Sequence, residues 1–277
     1  MNVSCDLRVA REANGWLANE WLANEWLGRR TVDENLESLM ARELDEPRSR
    51  LALALDLDDM VEALRLAQRL HPWFRVAKVG MELFSAAGPE VVSALIDDNY
   101  DVFLDVKLYD IPTTVRKAGR VIGALGPMYL TAHAQGGEAM LKAAVEGVTD
   151  GASAAGGRVP SVLGVTVLTS DPHASDALVL ERAELAARAG CGGLVCAASD
   201  LATARRGAPG LMAVVPGIRP AGTSADDQAR PATPANALRL GADLLVIGRA
   251  VTHAADPETA AASVFEETAT ALSGVGA

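Results

Sequence analysis

Val102-Phe103-Leu104-Asp105-Val106-Lys107-Leu108-Tyr109-Asp110-Ile111-Pro112-Thr113-Thr114 is the stretch that decides the fold. Val102 to Leu104 is an apolar run of the kind that forms a buried strand. Pro112 suits the first turn of a helix, where its missing N–H costs nothing. A strand that ends in charge and passes into a helix is one βα unit. Side chains two apart on a strand share a face. Asp105 and Lys107 are therefore expected to point the same way, with Asp110 beyond them on the turn or the start of the helix. Two carboxylates around one ammonium are costly in a core and useful in an active site.

The same unit recurs on both sides of this stretch. Apolar runs predict strands at 51–56, 74–79, 101–107, 128–133, 161–168, 193–197, 211–216 and 243–247. Helical periodicity falls at 58–70, 89–97, 112–124, 137–148, 178–189, 233–240 and 257–272, with a short helix after the sixth strand. Asp58 is placed to cap the first of these helices. The stretch 149–160, rich in Gly, Ala and Ser, reads as a flexible loop, and 217–231 as a long one. Eight strand–helix pairs predict a closed (β/α)8 TIM barrel over 51–277. A doubly wound open sheet would carry a Gly-rich phosphate turn after its first strand; residues 56–60 contain no Gly.

Residues 1–50 read as a separate N-terminal extension. Trp16-Leu17-Ala18-Asn19-Glu20 repeats as Trp21-Leu22-Ala23-Asn24-Glu25, and a third copy starts at Trp26-Leu27. A five-residue step turns about 140° around a helix, so a helix here would spread its Trp over more than one face. The segment is expected to be helical or mobile, either a docking element or a dispensable appendage.

The 277 residues are 49% hydrophobic but only 4% aromatic, so the core must be aliphatic, as parallel strands covered by helices require. A net charge of −11 argues against a nucleic-acid or anionic-membrane surface. A local pocket can still be positive and take a phosphorylated substrate. Cys5, Cys191 and Cys196 are odd in number and match no zinc spacing; free thiols in a reducing cytoplasm are expected. No apolar run reaches the ~18 residues of a membrane span, and no secretory signal is expected.

Barrel active sites form at the C-terminal ends of the strands. The polar residues there are Asp56, Lys78, Asp105, Lys107, Asp110, His133, Thr169, Arg219 and Arg249. Arg219 and Arg249 follow the seventh and eighth strands, the usual phosphate corner, and a guanidinium fork matches phosphate oxygens. Gly217 and Gly248 let the backbone come close, and Gln228 on the long loop can reach over as a neutral donor. Acidic neighbours favour an ammonium at Lys107, which makes it a proton donor rather than an imine-forming nucleophile. His133 reads as a hydrogen-bonded structural residue. No set of His and carboxylates has metal spacing, so no metal is expected.

Asp105-Val106-Lys107-Leu108-Tyr109-Asp110-Ile111-Pro112-Thr113-Thr114 resembles the signature of the orotidine 5′-phosphate decarboxylase family. So do Leu53-Ala54-Leu55-Asp56, Lys78-Val79-Gly80, Thr166-Val167-Leu168-Thr169-Ser170, Pro216-Gly217-Ile218-Arg219-Pro220 and Val246-Ile247-Gly248-Arg249. Asp226-Asp227-Gln228 resembles the family's phosphate loop. The resemblance implies conversion of orotidine 5′-monophosphate to UMP and CO2 in pyrimidine synthesis, with no cofactor and no metal. It implies Lys107 as the proton donor to C6, Asp105 beside the departing carboxylate, and Asp56 and Lys78 at the ribose hydroxyls. Thr169 would lie near the base or a closing loop, and Arg219, Gln228, Gly248 and Arg249 would take the phosphate. Asp110 and Thr114 would reach into a second subunit's site, making the enzyme a homodimer. Ala250 and Gln135 depart from residues common in the family, Pro and Ser, without removing a charge. Two alternatives stay open on the residues: a metal-dependent sugar-phosphate decarboxylase or synthase of the same superfamily, and a non-catalytic nucleotide-binding barrel.

Overall fold

Short, mostly apolar runs rich in Leu, Val, Ile and Ala form eight parallel strands. In the computed structural model, residues 46–169, 171, 174–220 and 232–275 are described. The strands are β1 (Leu51–Leu55), β2 (Val76–Gly80), β3 (Asp101–Leu108), β4 (Tyr129–His133), β5 (Ser161–Val165), β6 (Gly193–Val195), β7 (Met212–Val215) and β8 (Leu244–Ile247). Each pairs with the next in sequence, and β8 pairs back onto β1, so the sheet closes into a (β/α)8 barrel. The Trp repeats, Cys5, Ser170, His173 and Gln228 lie outside the described residues.

Alternation along the strands builds two apolar layers. Ala52, Ala54, Val76, Phe103, Tyr129, Leu163, Val214, Leu244 and Val246 fill the barrel interior. Leu53, Leu55, Ala77, Val79, Leu104, Leu130 and Ile247 belong to the larger layer packed under the helices. The interior layer is the floor of the mouth, because on β1 to β4 the next inward positions, Asp56, Lys78, Asp105 and Thr131, are polar.

The helices are α1 (Met60–Leu70), α2 (Met81–Ala87), α3 (Glu90–Asp97), α4 (Pro112–Leu125), α5 (Gly137–Ala155), α6 (Asp176–Arg188), α7 (Leu201–Gly207), α8 (Pro234–Arg239), α9 (Arg249–Thr252) and α10 (Pro257–Val275). Pro112 does open α4, and Ser175 and Thr233 cap α6 and α8. The cap of α1 is Asp59, not Asp58: its carboxylate accepts the N–H groups of Val61 and Glu62 at 2.7 and 2.9 Å. Before Leu51, residues Pro47–Arg50 form a 3-10 turn whose Arg50 guanidinium lies 3.8 Å from the Asp243 carboxylate.

The stretch 149–160 is largely helical rather than a loop. Helix α5 runs on to Ala155 and ends where Gly156 turns left-handed at φ +67°. Two of its glycines, Gly147 and Gly151, are there for packing. A Cβ at Gly151 would overlap the Arg120 carbonyl oxygen of α4, and one at Gly147 the Arg116 carbonyl oxygen. From the other side, a Cβ at Gly123 would overlap the Val148 carbonyl oxygen. The two helices therefore meet backbone to backbone, which steadies the helix that follows the charged end of β3.

Gly151→Ala tests this contact. Helix propensity favours Ala by about 0.8–1.0 kcal/mol, whereas forcing two backbones apart costs about 1–3 kcal/mol or more. We expect a net loss of stability of about 1–2 kcal/mol, read as a lower urea midpoint. An unchanged or higher midpoint would mean that α4 and α5 are not in close backbone contact.

Candidate active site

Strand parity sets the site. Counting in twos from the buried interior positions, Ala54 leads to Asp56, Val76 to Lys78, Phe103 to Asp105 and Tyr129 to Thr131. Each second member sits higher in the mouth. The charged ones form a chain of alternating sign. Lys78 Nζ donates to Asp56 Oδ1 at 3.0 Å and lies 3.8 Å from Asp105 Oδ2. Lys107 Nζ donates to Asp105 Oδ1 at 2.9 Å. Lys78 is only 8% exposed, so its ammonium depends on these two carboxylates. Gly80 leaves them room: a Cβ there would sit 2.9 Å from Asp56 Oδ1 and 3.1 Å from Lys78 Nζ.

Lys107 reaches the mouth by an irregularity, not by plain strand alternation. On the β2 side pairing is regular up to Gly80 and Asp105. On the β4 side it slips: Leu104 pairs with Leu130, and Leu108 pairs with Ala132. Lys107 itself has φ +50°, in the left-handed region that residues with a Cβ seldom occupy. Its N–H is donated to Oγ1 of Thr131 at 2.9 Å. Thr131 was missed in the sequence because it is neutral and sits within an apolar run. The parity count above is the signal that finds it.

The mouth has two adjoining compartments. One is mainly apolar and is walled by Phe103, Val165, Val167, Leu168, Val195 and Val246, with Lys107, Asp105 and Thr169 along it. The other is polar and takes in Asp56, Gly217, Arg219, Gly248 and Arg249. Lys78, Asp105, Pro216 and Val246 border both. Gly217 has φ +77°, so a side chain there would be strained. At Gly248 a Cβ would make an ordinary 3.6 Å contact with Ala54. Arg249 opens the short helix α9 instead of ending β8, and Thr169 lies beyond β5, which stops at Val165.

Asp110 and Thr114 are not brought into this cavity. Both are exposed, and Asp110 Oδ1 accepts the N–H of Ile111 at 2.6 Å. His133 lies at the rim, its ring edge-on to Tyr109 with centroids 5.8 Å apart. Burial pushes its imidazole below the ordinary range, and the positive charges of Lys107 and Arg182 add to this against the pull of Asp105. Arg182, another residue not singled out in the sequence, ties the two strand ends together through Thr166 O and Gln135 Oε1. Among the described residues, no three His, Cys, Asp or Glu are grouped to hold a metal ion.

A parallel barrel with a charged chain beside an arginine corner, all at the C-terminal mouth, has the layout of a barrel enzyme acting on an anionic small molecule. Comparison with known proteins narrows this class. Residues 49–264 match the model of the Orotidine 5′-phosphate decarboxylase / HUMPS family, and the chain belongs to that family. It is 44% identical over 230 residues to the orotidine 5′-phosphate decarboxylase of Anaeromyxobacter sp. strain K, covering 79% of this chain and 98% of that protein. The corresponding protein of Alkalilimnicola ehrlichii is 45% identical over 232 residues, with 80% and 97% covered. Among solved structures, orotidine 5′-phosphate decarboxylase from Lactobacillus acidophilus superposes with a TM-score of 0.67 at 33% identity, covering 79% of this chain and 98% of that one.

Proposed function

We propose that this protein decarboxylates orotidine 5′-monophosphate to UMP and CO2, with no metal or cofactor. The observation that carries the reading is the two-compartment mouth, whose shared wall bears Lys78 and Asp105, with Lys107 paired to Asp105 on the apolar side. An apolar slot fits a pyrimidine, and a polar corner with two arginines fits its phosphate. Lys78, which borders both, and Asp56 paired to it suit the ribose hydroxyls.

In this reading the C6–carboxylate bond breaks and its electron pair stays on C6. The ring delocalises that charge poorly, so a fixed positive group must face it. Lys107 supplies the charge and then passes a proton from Nζ to C6, giving UMP. The amine recovers its proton from solvent. Asp105 holds the ammonium and lies beside the departing carboxylate. Grip on the distant phosphate by Arg219, Arg249, Gly248 and Gln228 supplies binding energy that orients the base. Thr169 borders the base slot.

The working unit is a homodimer in which Asp110 and Thr114 serve the partner's site. Their exposure supports this, as does that of Tyr109 and Ile111 beside them, 57% and 66% exposed. Residues 1–50 are an extension to the catalytic barrel, and the enzyme acts in the cytoplasm.

The test is incubation with orotidine 5′-monophosphate in excess EDTA, following CO2 release and the loss of pyrimidine absorbance. Full turnover in chelator is expected. Turnover that vanishes with EDTA and returns with a divalent cation would point to the metal-dependent members of the superfamily. Binding of UMP with no CO2 release would point to a non-catalytic barrel.

A further inference from the structure

Lys107 stands in a backbone conformation that needs support, and one buried side chain gives it. Its φ of +50° is disfavoured for any residue with a Cβ. The slip between β3 and β4 around it disturbs the regular ladder. Its N–H is donated to the Thr131 hydroxyl at 2.9 Å. That hydroxyl has one proton of its own, and it donates this to Asp105 Oδ1 at 3.0 Å. The same Oδ1 accepts Lys107 Nζ at 2.9 Å. Thr131 is completely buried.

One hydroxyl therefore fixes the lysine at both ends: its main chain directly and its ammonium through Asp105. We propose that Thr131 is a positioning residue, setting where the Lys107 ammonium stands relative to the reacting carbon. This rests on the reading of Lys107 as charge and proton donor. Lysine has a flexible four-carbon stem and three rotatable donors. An ammonium left to wander by about an ångström loses much of its effect on a transition state. Strain at a functional residue persists only where its surroundings over-determine it, and Thr131 is the side chain that makes two of the three bonds here. Its residue type follows from those bonds. Val would fill the same space but leave the Lys107 N–H unmet and take away one of the two donors to Asp105 Oδ1, whereas Ser would keep both bonds.

The test compares Thr131→Val, Thr131→Ala and Thr131→Ser with the wild type in the full chain. Active centres are counted by titration with UMP, so that kcat refers to folded sites only. For Val and Ala we expect kcat to fall about 10- to 100-fold, the scale of losing one hydrogen bond to a charged group at a reacting centre. KM should stay within about threefold, since residue 131 borders neither cavity compartment. Ser should restore kcat to within about threefold of wild type. If Val does not fold, the Ala–Ser pair makes the same comparison. A variant without the hydroxyl that keeps wild-type kcat per site would overturn the proposal. So would a Ser variant as slow as Val or Ala, or a loss confined to KM. Wild-type protein inert toward orotidine 5′-monophosphate would instead remove the reading of function, and this proposal with it.

Discussion

Lys107→Ala is expected to lose turnover of orotidine 5′-monophosphate by about 10⁴-fold or more while still binding UMP. Two losses combine: a general acid contributes about 10²–10⁴-fold, and a fixed charge where charge develops contributes about 10²–10³-fold. UMP binding survives because the polar compartment around Arg219 and Arg249 does not include Lys107. Folding should survive as well. Lys107 is partly exposed, and Asp105 keeps the Thr131 hydroxyl and the nearby Lys78 ammonium as partners. Stopped turnover with intact UMP affinity, by calorimetry, supports a catalytic lysine. Loss of UMP binding together with the fold would assign it a structural role.

The second large effect concerns the shared site. Asp105→Asn and Asp110→Ala should each cut turnover by about 10²-fold or more. Asp105 lies inside the cavity of its own chain, whereas Asp110 is exposed outside it. If Asp110 serves the partner, mixing the two variants regenerates whole sites. In a mixed dimer, the site holding Asp105 also receives Asp110 from the other chain, and the second site lacks both. Random exchange of equal amounts makes about half the dimers mixed, so about a quarter of all sites become wild type. Specific activity should rise to about a quarter of the wild-type value. No rise, in subunits shown to exchange by native mass spectrometry, would place Asp110 outside the chemistry of a shared site.

Much of this was legible in the chain, for a physical reason. Strands buried on both faces must be mostly apolar, so all eight could be located from apolar runs. The charges at their ends had to meet because the barrel closes. The errors arose where tertiary packing overrode local preference. The stretch 149–160 looks like a loop by its Gly, yet Gly151 is the residue that lets α5 lie against the Arg120 carbonyl. Asp58 and Asp59 are both plausible caps, and only the turn geometry selects Asp59. The position of Lys107 depends on a slip in pairing with β4 and a left-handed backbone, which no period-two pattern contains. Thr131 escaped because a neutral residue in an apolar run looks like filler until the inward positions are counted.

In the proposed mechanism the Lys107 ammonium faces C6 of a pyrimidine nucleotide held by its phosphate. A crystal structure with UMP bound would show this geometry. The phosphate should lie against Arg219 and Arg249, with Lys107 Nζ about 3–3.5 Å from C6, the separation of groups poised to react. UMP seated elsewhere, or Lys107 turned away from the base toward bulk water, would rule this mechanism out.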